Sequence, residues 1–211
     1  MFRYDLYNKA YTISQLNEFF EEAGKPKIVS AADNKPGYFN VASSFDIETS
    51  STYVKGVKFA TMYIWQFGLN GVTIYGRTWA EFRSFLNTLV DKLTINLHRR
   101  LIIYVHNLSY EFQFMRKHID WATDKDGKDV VFSLKKRRPI YALTKSGIEF
   151  RCSYFLSNCS LAYIGAEMLF KYPVSKLTGD LDYSLIRHSE TPLTAEELEY
   201  CFNDVRVVMS Y

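Results

Sequence analysis

Between Asn40 and Val105 the hydrophobic pattern changes its period twice, and this restricts the possible folds more than any other feature of the chain. Val57 to Gly68 is dense in β-branched and aromatic residues, Asn70-Gly71 is a strong hairpin signal, and Val72 to Tyr75 returns to strand composition. With Phe45 to Thr49 ahead of them, these segments predict a three-stranded antiparallel meander. From Thr78 the spacing becomes helical. Phe82, Phe85, Leu86, Leu89 and Leu93 form one apolar stripe, Thr78 can cap it, and Glu81 can complete a capping box. Leu101 to Val105 is short and wholly apolar, as expected of a strand covered on both faces. Strands in this order around a helix call for an α/β domain with a mixed central sheet flanked by helices.

The remaining segments extend this frame. Residues 1–40 are mixed, with Ile13, Leu16, Phe19 and Phe20 at helical spacing inside Thr12–Ala23 and loop signals at Pro26, Pro36 and Gly37. They read as a short N-terminal extension ahead of one domain over 41–211. His106 to Lys117 leaves the apolar strand for a helix that Asn107 or Ser109 could cap, with Glu111 in its first turn, where negative charge is favoured in any case. Residues 121–151 read as a charged hairpin region with turns at Asp126-Gly127 and Ser146-Gly147 and strands at Ile140–Thr144 and Ile148–Cys152. The basic run Lys135–Arg138 within it is a solvated loop or a phosphate contact. Ser157–Phe170 reads as a capped helix. After Pro192 a final helix opens with the capping-box pair Thr194 and Glu197, which sets Tyr200 and Asp204 on one face.

Composition narrows the class. With 47% hydrophobic residues in 211, the chain buries a substantial core. The formal charge of +3 neither demands nor opposes nucleic acid, and the 17% of aromatic residues serve a core or stack on bases. Cys152, Cys159 and Cys201 have neither zinc spacing nor an even count, so they read as reduced thiols of a cytoplasmic protein. No signal-peptide h-region and no run near the roughly 20 apolar residues of a membrane span is present, so no membrane partner is expected.

Chemistry enters at Ser43–Ser50. A strand puts residues i and i+2 on one face, so Asp46 and Glu48 point together. Two carboxylates at that range repel unless a cation lies between them, and all-oxygen ligands suit Mg²⁺ or Mn²⁺. A solvated strand end is the plainer alternative.

Asp46-Ile-Glu48, Asn107-Leu-Ser-Tyr110-Glu111 and Tyr200-Cys-Phe-Asn-Asp204, in that order, resemble the three Exo motifs of proofreading 3′-5′ exonucleases in family B DNA polymerases, most nearly the protein-primed phage and organellar-plasmid branch. The second motif departs, with Glu111 where the family has Asp. Ser160-Leu161-Ala162-Tyr163-Ile164 is similar to that branch's strand-holding motif. Gly179-Asp180-Leu181-Asp182-Tyr183 is similar to the segment after its catalytic-site lysine. Here Thr178 directly precedes the glycine, and Lys176 is the nearest lysine. The resemblance covers 41–211 and implies a ribonuclease H-like (DEDD exonuclease) fold holding two divalent cations, Mg²⁺ or Mn²⁺. It implies that Asp46 bridges the ions, Glu48 and Asp204 complete the nucleophile-side ion, and Glu111 serves the leaving-group side, with Tyr200 and Lys176 also catalytic. Thr49, Asn107, Tyr110, Ser160 and Leu161 would hold the substrate. The implied partners are the 3′ end of single-stranded DNA, a polymerase domain in cis or in trans, and a terminal priming protein, in the host cytoplasm for a viral chain. The palm's aspartate motifs do not occur in these 211 residues, so the resemblance is to an exonuclease domain, excised or standing alone. A fold that grips single-stranded DNA or a terminal protein without efficient cleavage is the alternative.

Overall fold

In the computed structural model, which describes residues 2–29, 35–177, 182 and 184–211, the period changes become elements where the pattern places them. In chain order these are β1 (Ala10–Thr12), α1 (Leu16–Ala23), β2 (Ile28–Val29), β3 (Gly37–Phe39), β4 (Ser43–Val54), β5 (Val57–Leu69), β6 (Val72–Gly76) and α2 (Trp79–Leu93). There follow β7 (Arg99–Val105), α3 (Leu108–Met115), β8 (Val131–Lys135), β9 (Arg138–Leu143), β10 (Ile148–Cys152), α4 (Tyr154–Ser157), α5 (Leu161–Glu167) and α6 (Ala195–Ser210). The sheet runs β1-β6-β5-β4-β7-β10-β9-β8, with β3 pairing β2 and β7. β4–β5–β6 is the antiparallel meander, whereas β7 lies parallel to β4, β10 and β3. This is the mixed sheet flanked by helices expected of a ribonuclease H-like domain.

The two faces of the sheet are covered by different helices, and this places the site. Phe82, Phe85, Leu89 and Leu93 of α2 are buried against Phe45, Trp65 and Phe67; the Phe45 and Phe82 rings stack at 4.5 Å. The helix begins as its sequence dictates, with Thr78 Oγ1 accepting from the Glu81 amide (3.2 Å) and Glu81 Oε2 accepting from the Thr78 amide (2.8 Å). On the opposite face α6 approaches β4 and β5 over small residues. Ser44 Oγ donates to the Val205 carbonyl (2.7 Å), and a side chain at Gly68 would collide with Met209. That close approach lowers the middle of α6 onto the strand carrying Asp46.

Three segments differ from the sequence-based expectation. Ala10–Thr12 joins the sheet beside β6, and Phe19 is fully buried against Phe67 and Phe85, so the N-terminal segment read as an extension supplies an edge strand and core residues. Its amphipathic stripe needed apolar cover, and the open edge of the meander provides it. The β4–β5 hairpin is longer than its apolar runs, turning at Lys55-Gly56 with both φ positive. The basic run Lys135–Arg138, by contrast, lies at the β8–β9 turn, within the hairpin region expected there. The single helix expected over Ser157–Phe170 is two, because Asn158 adopts a left-handed conformation (φ 56°) and Ser160 starts a new cap, accepting from the Tyr163 amide at 3.2 Å.

Candidate active site

Three elements supply the acidic residues. β4 gives Asp46 and Glu48, α3 gives Glu111 one turn past the end of β7, and α6 gives Asp204. Oxygen atoms of Asp46, Glu48 and Asp204 lie within 4.8 Å of one another. Glu111 is only 4% exposed, and its Oε2 is buried without a hydrogen-bond partner among the described residues. Asp46, Glu48 and Asp204 thus share one space between β4 and α6, and Glu111, in the first turn of α3, is near enough for its charge to act on Asp46.

Electrostatics record the crowding. Burial pushes the Asp46 carboxyl well above its ordinary range, and the charges of Asp204, Glu111 and Glu48 push the same way. Burial, and then Asp204, raise Glu48 to about 7, against the opposing pull of Lys176 and Arg187. Burial also dominates at Glu111, raised to about 8, and at Asp204, raised despite Lys176. Protein has replaced water around these groups without supplying enough positive charge.

Lys176 supplies part of it. Its ammonium pairs with Asp204 Oδ1 and lies 4.4 Å over the Tyr200 ring. Asn203 holds the lysine there: its Nδ2 donates to the Ser175 carbonyl (2.9 Å) and its Oδ1 accepts from the Leu177 amide (2.7 Å). Sequence reasoning missed Asn203, and Gln66 as well, whose Nε2 donates to Asp46 Oδ2 (2.9 Å). Gln66 is the cross-strand neighbour of Asp46, so the meander register would have found it. No motif signal marks Asn203. Of the segment after the lysine, Thr178, Gly179, Asp180, Leu181 and Tyr183 lie outside the described residues.

The proposed substrate-side residues form two groups. Thr49 and Tyr110 meet through their hydroxyls (2.5 Å), and the 43% exposed Tyr110 ring packs on Phe114. Asn107, Ser160, Leu161 and Lys176 line a groove of about 480 Å³ with His106 and Tyr154. Neither Asn107 nor Ser109 caps α3 through its side chain. Asn107 is left-handed (φ 74°), its own carbonyl accepts from the Tyr110 amide (2.9 Å), and its side chain accepts from Ser109 Oγ (2.7 Å).

The site fits hard divalent cations, since its donors are all oxygen and a buried carboxylate oxygen lacks a partner. Asp46, Glu48, Asp204 and Glu111 would hold them. The thiol of Cys201, raised by burial beside the same carboxylates, stays protonated and adds no ligand.

No protein-family model matches this sequence, and no curated protein does. Solved structures do. The complex of phi29 DNA polymerase with primer-template DNA and incoming nucleotide substrates matches with TM-score 0.52 at 19% identity, over 79% of this chain and 29% of that one. An orthorhombic crystal form of phi29 DNA polymerase matches with TM-score 0.50 at 19% identity, over 80% and 29%. The binary complex with primer-template DNA matches with TM-score 0.50 at 18% identity, over 79% and 29%. The chain thus spans less than a third of the length of the polymerases it resembles. The likeness read from the motifs is met in three dimensions at the level of architecture, and the chain has the ribonuclease H-like α/β fold of the part of phi29 DNA polymerase that it covers.

Proposed function

We propose that the chain is a metal-dependent 3′-5′ exonuclease acting on single-stranded DNA ends, the proofreading module of a viral family B DNA polymerase. The observation that carries this reading is the meeting of Asp46, Glu48 and Asp204, from segments far apart in sequence, in one under-neutralised cluster, with the buried Glu111 acting on Asp46. Two divalent cations, Mg²⁺ or Mn²⁺, would there stabilise charge on the attacking and leaving oxygens of a phosphodiester.

The chain's own residues then orient and hold. Asp46, Glu48, Asp204 and Glu111 would hold the cations, with Glu48 and Asp204 on the side of the attacking oxygen and Glu111 on that of the leaving oxygen. The Tyr200 hydroxyl, one helical turn before Asp204, orients the attacking water. Lys176, held by Asn203, contributes a positive charge beside Asp204. Thr49, Tyr110 and Asn107 grip the 3′-terminal nucleotide, while Ser160 and Leu161 support the strand along the groove. Such a module works with a polymerase domain, in cis or in trans, and with a terminal priming protein. The three unpaired thiols suit a host cytoplasm, and no helix among the described residues is long and apolar enough to cross a membrane.

The test is degradation of a 5′-labelled single strand with Mg²⁺ or Mn²⁺, beside Asp46→Ala. Metal-dependent shortening from the 3′ end that the variant lacks supports the reading. Equal behaviour of the two proteins overturns it, and tight binding without turnover makes the domain a binding module.

A further inference from the structure

We propose that the outer half of the β4–β5 hairpin is a nucleic-acid contact arm that holds the strand leading into the acidic site. This inference rests on the proposed function and adds to it a binding element that none of the motifs contains.

The hairpin outgrows its sheet. β4 meets β7 only at Ser44, and β5 meets β6 only over Trp65–Leu69, so from Ser50 to Thr61 each strand's only strand partner among the described residues is the other. Two-stranded ribbons are marginal in water, and this one has little core to hold it. It nonetheless exposes Tyr53 (69%), Val54, Val57 and Phe59, with Lys55 and Lys58 at and beside its turn. Apolar and aromatic side chains left in water on a ribbon with two open edges are a liability unless something covers them.

Charge identifies the cover. Thr49–Thr61 contains two lysines and no carboxylate, so the ribbon is uniformly positive. Exposed rings interleaved with cations suit stacked bases and phosphates. An acidic protein surface would satisfy the lysines, but the position of the ribbon favours nucleic acid because β4 is continuous with the site. Past a bulge between Glu48 and Thr49, where Tyr63 of β5 is left over, β4 carries the face of Asp46 and Glu48 on through Thr52 and Val54, and Phe59 stands opposite Thr52. Tyr53 and Lys58 pair on the other face. From Glu48 to Val54 the strand advances about 20 Å, roughly six steps of a stacked nucleic-acid strand. A strand with its 3′ end at the carboxylates would run past the ribbon before leaving the protein.

The test compares the full chain with Lys55→Ala/Lys58→Ala and with Tyr53→Ala/Phe59→Ala. Binding to 5′-labelled single strands of about 4 and about 16 nucleotides is measured in EDTA against salt, with far-UV circular dichroism as the folding control. The lysine variant is expected to bind the long strand about tenfold more weakly, with the slope of log affinity against log salt reduced by about 1.4, and to bind the short strand unchanged. The aromatic variant is expected to lose a similar factor on the long strand with the slope intact. Folded variants that match the parent on both lengths overturn the arm while leaving the exonuclease reading in place, as do variants that change only self-association. Length-dependent loss in a chain that shows no metal-dependent cleavage keeps the arm and removes the exonuclease. A parent chain that binds neither length overturns both.

Discussion

Two parts of this molecule bury carboxylates, and they solve the problem in opposite ways. On β10, Glu149 is 1% exposed and fully served: Oε1 accepts from Arg100 (2.8 Å) and the Tyr38 hydroxyl (3.1 Å), and Oε2 accepts from Arg151 Nε (2.9 Å). About its neighbours on β4, α3 and α6 the reverse holds. Four acids share one ammonium, and Glu111 Oε2 has no partner among the described residues. A buried acid whose task is structural is neutralised by the chain itself, here tying β3 to β7 and β10. An acid left unneutralised implies that the missing charge comes from outside.

The comparison breaks first at Asp46. Asp46→Ala is expected to lower metal-dependent cleavage about a thousandfold or more, since a cation ligand is worth several kcal/mol in the transition state. The same change should raise the metal-free unfolding free energy by about 1 kcal/mol by removing one repelling charge. Retained cleavage would remove this acid from the chemistry, and lost stability would show that the crowding is not costly. Glu149→Gln should do the opposite: a loss of about 2 kcal/mol in urea unfolding, because two half-buried guanidinium groups lose their buried counterion, with little change in cleavage per folded molecule.

Acidity sharpens the contrast next. Glu48 and Glu111 hold their protons to about 7 and about 8 when folded, whereas the unfolded chain releases them near the ordinary 4.5. Between those values the folded state binds more protons, so metal-free stability falls as pH rises through roughly 4.5 to 8, by an amount on the order of a few kcal/mol. Thermal unfolding with and without Mn²⁺ checks this: the cation should restore most of the loss at pH 8, and a flat metal-free profile would contradict it.

Smaller effects follow at the edge of the cluster. Glu111→Asp should change the ratio of Mg²⁺- to Mn²⁺-supported rates about threefold to tenfold, read from initial rates. The shorter side chain alters reach into the site by one methylene without altering charge. Tyr110→Phe removes the hydroxyl contact with Thr49 and should raise KM for single strands about fivefold with kcat nearly unchanged, a contact worth about 1 kcal/mol.

Much of this was legible beforehand because it is local. The capping boxes at Thr78 and Thr194, the Asn70-Gly71 turn and the α2 stripe each depend on residues within a few positions of one another, and each forms as the pattern requires. Asp46 and Glu48 share a face for the same reason. Less visible was anything that depends on where an open edge happens to lie. The helical spacing around Phe19 says that the segment needs cover, but only the edge strand β6 shows where cover is found. The Lys55-Gly56 turn escaped notice because the strand leading to it, Ser50–Val54, is mostly polar and unburied.

The sequence by itself determined the identities and local directions of the acids: which residues lie on one strand face, which stand one helical turn apart, and which helix starts where. Only the tertiary structure decided that α6 descends over Ser44 and Gly68 closely enough to bring Asp204 to Asp46, that Asn203 sets Lys176 on Asp204, and that Glu111 is enclosed. Periodicity is carried by neighbours in the chain. Desolvation and charge repulsion depend on distances between segments far apart in the chain, and packing of the whole sheet sets those distances.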